Sequence, residues 1–326
     1  MRLIFCEEST NKGGITKFRP FACFKQKDFF YLKNTDTKIK EEIKMKKRII
    51  SLLVLFSTLL TACGAGKTKN EKAAVGTQKD GFTVLKIGTT GSDTTIWDVV
   101  NENLKKDKIK IENVVFEDYI KPNLALANKE IDLNAFQHSI FLEDFKAKHN
   151  LNLSILNYTV VAPMAFFSKK IKSVDEIKDG SKVAIPNDAT NGGRALKILE
   201  KNSLLKLKKE SGLKPTVKDI IENPKHLEFV QLSAQQIPRS LDEVDFAAIN
   251  SGIAEKAKLD FEKAIIKEDP KSEEAKNYWN LIAVRTEDLN NEIIQKVKKA
   301  YLKQNVYDKL KEVNGSGSIV VFTPEP

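Results

Sequence analysis

The segment Glu130-Ile131-Asp132-Leu133-Asn134-Ala135-Phe136 runs into Gln137-His138, and its acidic–apolar–Asp–apolar rhythm returns at Glu243-Val244-Asp245-Phe246-Ala247-Ala248-Ile249, followed by Asn250-Ser251. Each copy reads as a strand whose carboxyl end turns polar. Open α/β sheets bind ligands outside the carboxyl ends of their strands. Two such ends, far apart in sequence, predict two lobes facing one cleft, although two ordinary buried strands could share the rhythm by coincidence.

Outward from these segments, apolar strands alternate with helical stretches. Val84 to Gly88, Ile109 to Phe116, Ile131 to Phe136, Lys182 to Ile185, Leu227 to Leu232, Phe246 to Ile249 and Leu281 to Val284 read as strands. Helices are expected from a cap at Asp93/Thr94 to Leu104, over Ser139 to Lys148, from an N-cap at Thr190 to Lys201, and as one or two helices in Asn291 to Val313. Pro122 suits a first helical turn, where its missing N–H costs nothing. Ser173-Val174-Asp175-Glu176 has the form of a capping box. Repeated β–α alternation predicts an α/β fold with largely parallel sheets.

The formal charge is +10, but residues 1–62 hold 13 Lys and Arg against 6 Asp and Glu, so the remainder carries only +3. No basic stripe interleaved with aromatics occurs there, which argues against nucleic acid as a partner. The cysteines are Cys6, Cys23 and Cys63, with no CxxC, which excludes a disulfide framework or thiolate metal site for the folded part.

Met45-Lys46-Lys47-Arg48 is a basic n-region, and Ile49 to Leu60 is a mostly apolar run broken only by Ser51, Ser57 and Thr58. Such a run is too short for a membrane span, which needs about 20 residues, and right for a signal peptide. Leu60-Thr61-Ala62-Cys63 resembles the lipobox of bacterial lipoproteins, in which the cysteine is diacylated and becomes the new N-terminus. Residues 1–44 fit no part of this scheme and read as an upstream extension before the true start at Met45. Residues 63–82 read as a flexible tether.

Several ungapped motifs then appear in order: Asp118-Tyr119 with Pro122-Asn123; Asp132 to His138; Val183-Ala184-Ile185-Pro186-Asn187-Asp188-Ala189-Thr190-Asn191-Gly192-Gly193-Arg194; Glu222-Asn223-Pro224-Lys225; Gln236 to Asp242; Ile249-Asn250; and Asn280-Leu281-Ile282. Together they closely resemble the methionine-binding lipoproteins of the NlpA/MetQ type, over about residues 84–313. The resemblance implies a two-lobed periplasmic-binding-protein fold, with residues 83–159 and 275–326 in one lobe and 160–274 in the other. It also implies a monomer on the outer face of the cell membrane that binds methionine and delivers it to an ABC permease and ATPase, with no cofactor, metal or enzymatic activity.

Gly192-Gly193-Arg194 puts a guanidinium and free backbone N–H groups at a helix start, a site for a carboxylate that Arg194 can grip bidentately; an arginine solvating a helix would look the same. Asn250 can meet an amino-acid head group or form a turn. Phe136 and His138 share one side of a strand end, and an aromatic wall suits a thioether. The resemblance implies that Tyr119, Phe136, His138 and Asn280 shape the side-chain pocket and that Asn191 joins Arg194 and Asn250 as ligand contacts. Thr89-Thr90-Gly91-Ser92-Asp93 and Met164-Ala165-Phe166 depart from the family's pattern and can both border the cleft, so the ligand could be another amino acid or a methionyl dipeptide.

An enzyme finds no HExxH, GxSxG or P-loop, and no nucleophile set beside a base. A metal-binding lipoprotein would need converging His and carboxylates, whereas His149 and His226 sit in polar, exposed contexts. An adhesin leaves the ligand-type residues unexplained. Peptide mapping of the precursor should find Met45 at its N-terminus; a peptide from before Met45 would end the start-site reading.

Overall fold

The computed structural model describes residues 75–91, 93–313 and 317–325. Residues 1–44, the expected signal peptide at 45–62 and Cys63 lie outside the described residues. In chain order the first strands are β1 (Thr77–Lys79), β2 (Phe82–Thr89), β3 (Ile109–Val115), β4 (Leu133–His138) and β5 (Leu153–Val161). Then follow β6 (Met164–Phe167), β7 (Lys182–Pro186), β8 (Lys206–Leu207), β9 (Ile220–Glu222), β10 (Glu228–Leu232), β11 (Phe246–Asn250), β12 (Ile266–Lys267), β13 (Trp279–Arg285) and β14 (Ile319–Val320). The helices are α1 (Thr95–Leu104), α2 (Lys121–Ala127), α3 (Ser139–His149), α4 (Ala189–Lys201), α5 (Ser251–Lys256), α6 (Glu292–Tyr301) and α7 (Gln304–Val313).

The result is a two-lobed α/β fold built on two main sheets, with β8 and β9 forming a separate two-stranded pair. The larger runs β1-β2-β4-β13-β5-β14 with β3 on β2, and the smaller runs β10-β7-β11-β6-β12. Strand β5 continues to Val161, past the crossing expected at residue 159. Residues 75–82, expected to belong to the tether, are ordered instead: Val75 is buried and β1 pairs antiparallel with β2.

The sheets are mixed rather than largely parallel. β2 is parallel to β3 and β4, but β13 runs antiparallel to both β4 and β5. In the smaller sheet β10, β7 and β11 are parallel, while β6 runs antiparallel to β11 and β12. Strands β5 and β6 escaped the sequence reading. The polar Ser154, Asn157 and Thr159 interrupt β5, and β6 has only four residues, all buried, so neither shows a clear alternation.

Both sheets are covered on both faces, which is why inner strands such as β7 and β13 carry near-continuous apolar runs. Ile282 and Val284 of β13 face a core shared with Trp97, Val100 and Leu104 of α1 and Ile294 and Val297 of α6. Leu281 and Ala283 face the opposite core with Leu126 and Leu142. In the smaller sheet Val183, Ile185, Phe246 and Ala248 face α4, while Ala184, Ala247 and Ile249 face Ile237 and Leu241.

Local signals moved by a residue or two. The expected box at Ser173 makes no side-chain cap bond, and only a 3-10 turn follows. A true capping box closes at Thr216 and Asp219. Helix α4 is capped by Asp188, not Thr190; an aspartate two residues upstream offers a charged acceptor to the first amides. At α1, Asp93 accepts the Thr95 amide, while Thr94 makes no side-chain cap bond.

Arg285, buried at the end of β13, ties this lobe together. Its Nε donates to Asp288 at 2.6 Å, and Nη1 donates to the carbonyls of Leu126 at 2.9 Å and Ile131 at 2.6 Å. Arg285→Leu removes all three bonds and strands a buried carboxylate. It should cost about 3–5 kcal/mol, read as a lower urea midpoint with an unchanged slope; an unshifted midpoint would refute this role.

Candidate functional site

The carboxyl ends of β4 and β11, the two segments with matching rhythm, open onto one cavity of about 210 Å³. Tyr119, Phe136, His138, Asn191, Arg194, Asn250 and Asn280 all line it, joined by Thr90 and Phe141. Met164, Ala165 and Phe166 do not; they are fully buried within β6. The cavity is smaller than those that take drug-sized molecules, and suits one small solute.

One wall is aromatic. Tyr119, Phe136 and Phe141 meet pairwise with ring centroids 5.8–6.0 Å apart, two of the pairs edge-on. Tyr119 is held by the turn that starts α2, where Asp118 accepts the amides of Ile120 and Lys121. Burial pushes its phenol above the ordinary tyrosine range. Asn280 of β13 sits opposite His138 in the sheet register. Gln137, which also lines the cavity, engages its side chain in a buried amide cluster with Asn123 and Asn134.

The opposite wall is polar and ordered by Asp188. Its carboxylate caps α4, accepting the amides of Thr190 at 3.2 Å and Asn191 at 2.9 Å. It also takes the Asn191 side-chain Nδ2 at 3.1 Å on both oxygens. Asn191 Oδ1 therefore faces the other way, accepting from Asn250 Nδ2 at 2.7 Å and lying 3.3 Å from His138 Nε2. His138 in turn caps α3: its Nδ1 accepts the Phe141 amide at 3.2 Å, which leaves the ring proton on Nε2, aimed at Asn191. Asn250 Oδ1 is buried and has no partner.

Arg194 reaches the cavity from the second turn of α4. Its Nε donates to Glu268 Oε1 at 3.0 Å, its Nη2 donates to Glu268 Oε2, and Nη2 also donates to the Ala162 carbonyl at 2.9 Å. The Tyr278 ring lies 4.2 Å from the guanidinium carbon. Burial, opposed by Arg194, pushes the Tyr278 phenol up to about 12, and its hydroxyl has no partner.

Two sequence expectations change. The amides at the start of α4 are not free for an anion, because the Asp188 carboxylate occupies them. A fork-to-fork grip by Arg194 is also excluded, since Nε and Nη2 are engaged and only Nη1 is left over. The glycines serve packing instead: a Cβ at Gly192 would lie 2.6 Å from the Pro186 carbonyl oxygen, and one at Gly193 3.0 Å from Lys214 Cα. Glu268 and Tyr278 were missed. Glu268 sits in a run of charged residues with no pattern, whereas Tyr278, two residues before Asn280, carried a faint signal.

A cavity between two α/β lobes, with an arginine, amides and an aromatic wall converging from both, is the architecture of a solute-binding protein. The chain belongs to the NlpA lipoprotein family, whose model matches residues 85–322. It is 38% identical over 276 residues to the probable D-methionine-binding lipoprotein MetQ of Vibrio cholerae, covering 84% of this chain and 97% of that one. The fold is similar to protein PG110 of Staphylococcus aureus, with a TM-score of 0.70, 44% identity, and 73% and 94% of the two chains covered. It is also similar to the substrate binding protein of a methionine transporter from Streptococcus pneumoniae, with a TM-score of 0.70, 34% identity, and 74% and 96% covered.

His138 generates a pH test. Burial first, then the nearby Arg194 charge, pushes its pKa down to about 3, against the pull of the Asn191 bond. The unfolded chain takes up this proton below about 6.5 and the folded chain does not. The contribution is thus full above about 6.5 and is lost as pH falls toward 3, by up to about 1.4 kcal/mol per pH unit. His138→Asn keeps an acceptor for the Phe141 amide but cannot titrate. Urea unfolding at pH 7 and 4.5 should show a smaller acid loss for this variant than for wild type; equal losses would refute it.

Proposed function

We propose that the chain is the substrate-binding component of an ABC importer, lipid-anchored through Cys63 on the outer face of the cell membrane, and that its cavity takes methionine. The observation that carries this is the pairing, in one cavity, of the Arg194 cation with the buried, unpartnered Asn250 Oδ1. The first suits a carboxylate and the second an ammonium group, the two ends of an amino-acid head. Tyr119, Phe136 and Phe141 then offer a thioether an aromatic wall, favourable by about 0.3–1.5 kcal/mol. The names of the Vibrio and Streptococcus proteins support the same ligand.

In this reading the larger sheet, from β1 through β5 and again from β13, marks one lobe and the smaller sheet, from β6 through β12, marks the other, and Arg194 holds the carboxylate through Nη1. His138 and Asn191 bond across the cleft from β4 and α4, so the contact forms as the lobes close, and the closed molecule is what the permease and its ATPase engage. The protein works as a monomer and as a binding protein rather than an enzyme. Among the described residues no helix is long and apolar enough to cross a membrane, and no group of three His, Cys, Asp or Glu could hold a metal ion.

A longer ligand, such as a methionyl dipeptide, is the second reading. It is favoured by a neighbouring cavity of about 630 Å³ that shares Thr90, Tyr119 and Gly252 with the first. Mass spectrometry of small molecules released on denaturing the purified protein should find methionine. A dipeptide would shift the assignment, and a stoichiometric metal ion would overturn it. Arg194→Ala should weaken methionine binding by about 1.5–3 kcal/mol, roughly tenfold to a hundredfold; unchanged affinity removes the clamp.

A further inference from the structure

Arg194 is the one charged side chain among the described residues that line the cavity. Behind it stands Glu268, which does not line the cavity. The two side chains are only 3% and 9% exposed. Glu268 is itself fixed to β6: its Oε2 accepts the Met164 amide at 2.9 Å, and its own amide donates to the Met164 carbonyl at 3.1 Å. At the start of the same helix the Asp188 carboxylate likewise stands behind Asn191, again one residue removed from the open space. The charge at the cavity wall is therefore positive, and the charge just behind it is negative.

This arrangement bears on which carboxylates can enter. An arginine already neutralised by a buried glutamate has no charge deficit for a ligand to fill. A simple acid would bring a second carboxylate to the same guanidinium and leave an uncompensated negative charge in a poorly solvated space, which is costly. A zwitterion brings its own cation, and the unpartnered Asn250 Oδ1 offers that cation an acceptor.

We propose that Glu268 is a specificity-determining residue: by compensating Arg194 from behind, it makes the cavity select a zwitterion over a simple carboxylate of the same shape. This rests on the amino-acid reading above. Glu268 acts through Arg194 and through its field, without touching the ligand.

Titration calorimetry on the full-length protein tests it with two probes, methionine and 4-(methylthio)butanoate, which has the same skeleton without the ammonium group. Wild type should bind methionine at least about 100-fold more tightly. Glu268→Gln removes the charge in nearly the same shape, and should narrow that ratio by about tenfold or more. Glu268→Asp keeps the charge while shifting it, so both affinities should fall with the ratio largely kept. A ratio unchanged in Glu268→Gln, with both ligands weakened alike, overturns the inference and leaves the amino-acid reading standing. Wild-type affinities within about threefold of each other overturn it without any variant. Binding of neither probe by wild type removes the methionine reading and this inference together.

Discussion

A single side-chain amide can point only two ways, and the polar half of the cavity depends on which way Asn191 points. Asp188 decides it. Because the carboxylate accepts Asn191 Nδ2, the carbonyl end must face the cavity, where it takes the Asn250 amide and meets His138. Asn250, having donated, presents a bare acceptor, and His138 keeps its proton on Nε2. One carboxylate at the start of α4 thus serves as helix cap and sets the donor and acceptor pattern of three residues drawn from both lobes. Buried polar networks of this kind specify one arrangement because each unmade bond is expensive.

The guanidinium is constrained in the same manner. Glu268, Ala162 and Tyr278 leave Arg194 little freedom to turn, so it is held in place before any ligand arrives. A preorganised group gives up less entropy on binding than a mobile one. The cost falls on the fold, which must bury an ion pair whose desolvation is not automatically repaid.

Much of this was legible in the sequence, for reasons that are local. The strands with clean apolar runs, β2, β7 and β11, lie within a residue or two of where the sequence puts them, while β4 sits two residues later than expected and takes Gln137 and His138 into the strand. All seven residues singled out for the site line one cavity, since ordered motifs identify positions without needing geometry. What stayed hidden depends on partners distant in sequence. Asp188 and Thr190 are both acceptable caps by residue type, and the sequence alone does not choose between them. Glu268 has no signature of its own, because its role comes from lying beside a residue 74 positions away. The antiparallel placement of β13 was beyond reach for the same reason: a short apolar strand does not reveal its direction.

That placement carries a consequence for the order in which the molecule is made. Strand β13 lies between β4 and β5, so these two are joined in the sheet only through it. Every strand of the smaller sheet falls within residues 164–267, and all of them leave the ribosome before residue 279 does. The smaller sheet can therefore complete its pairing during synthesis, whereas the larger one has a gap at its centre until the chain is nearly finished. Until then the facing edges of β4 and β5 are open to any other extended segment. In this topology a strand from the last quarter of the chain seals a sheet whose other central strands were made before its midpoint.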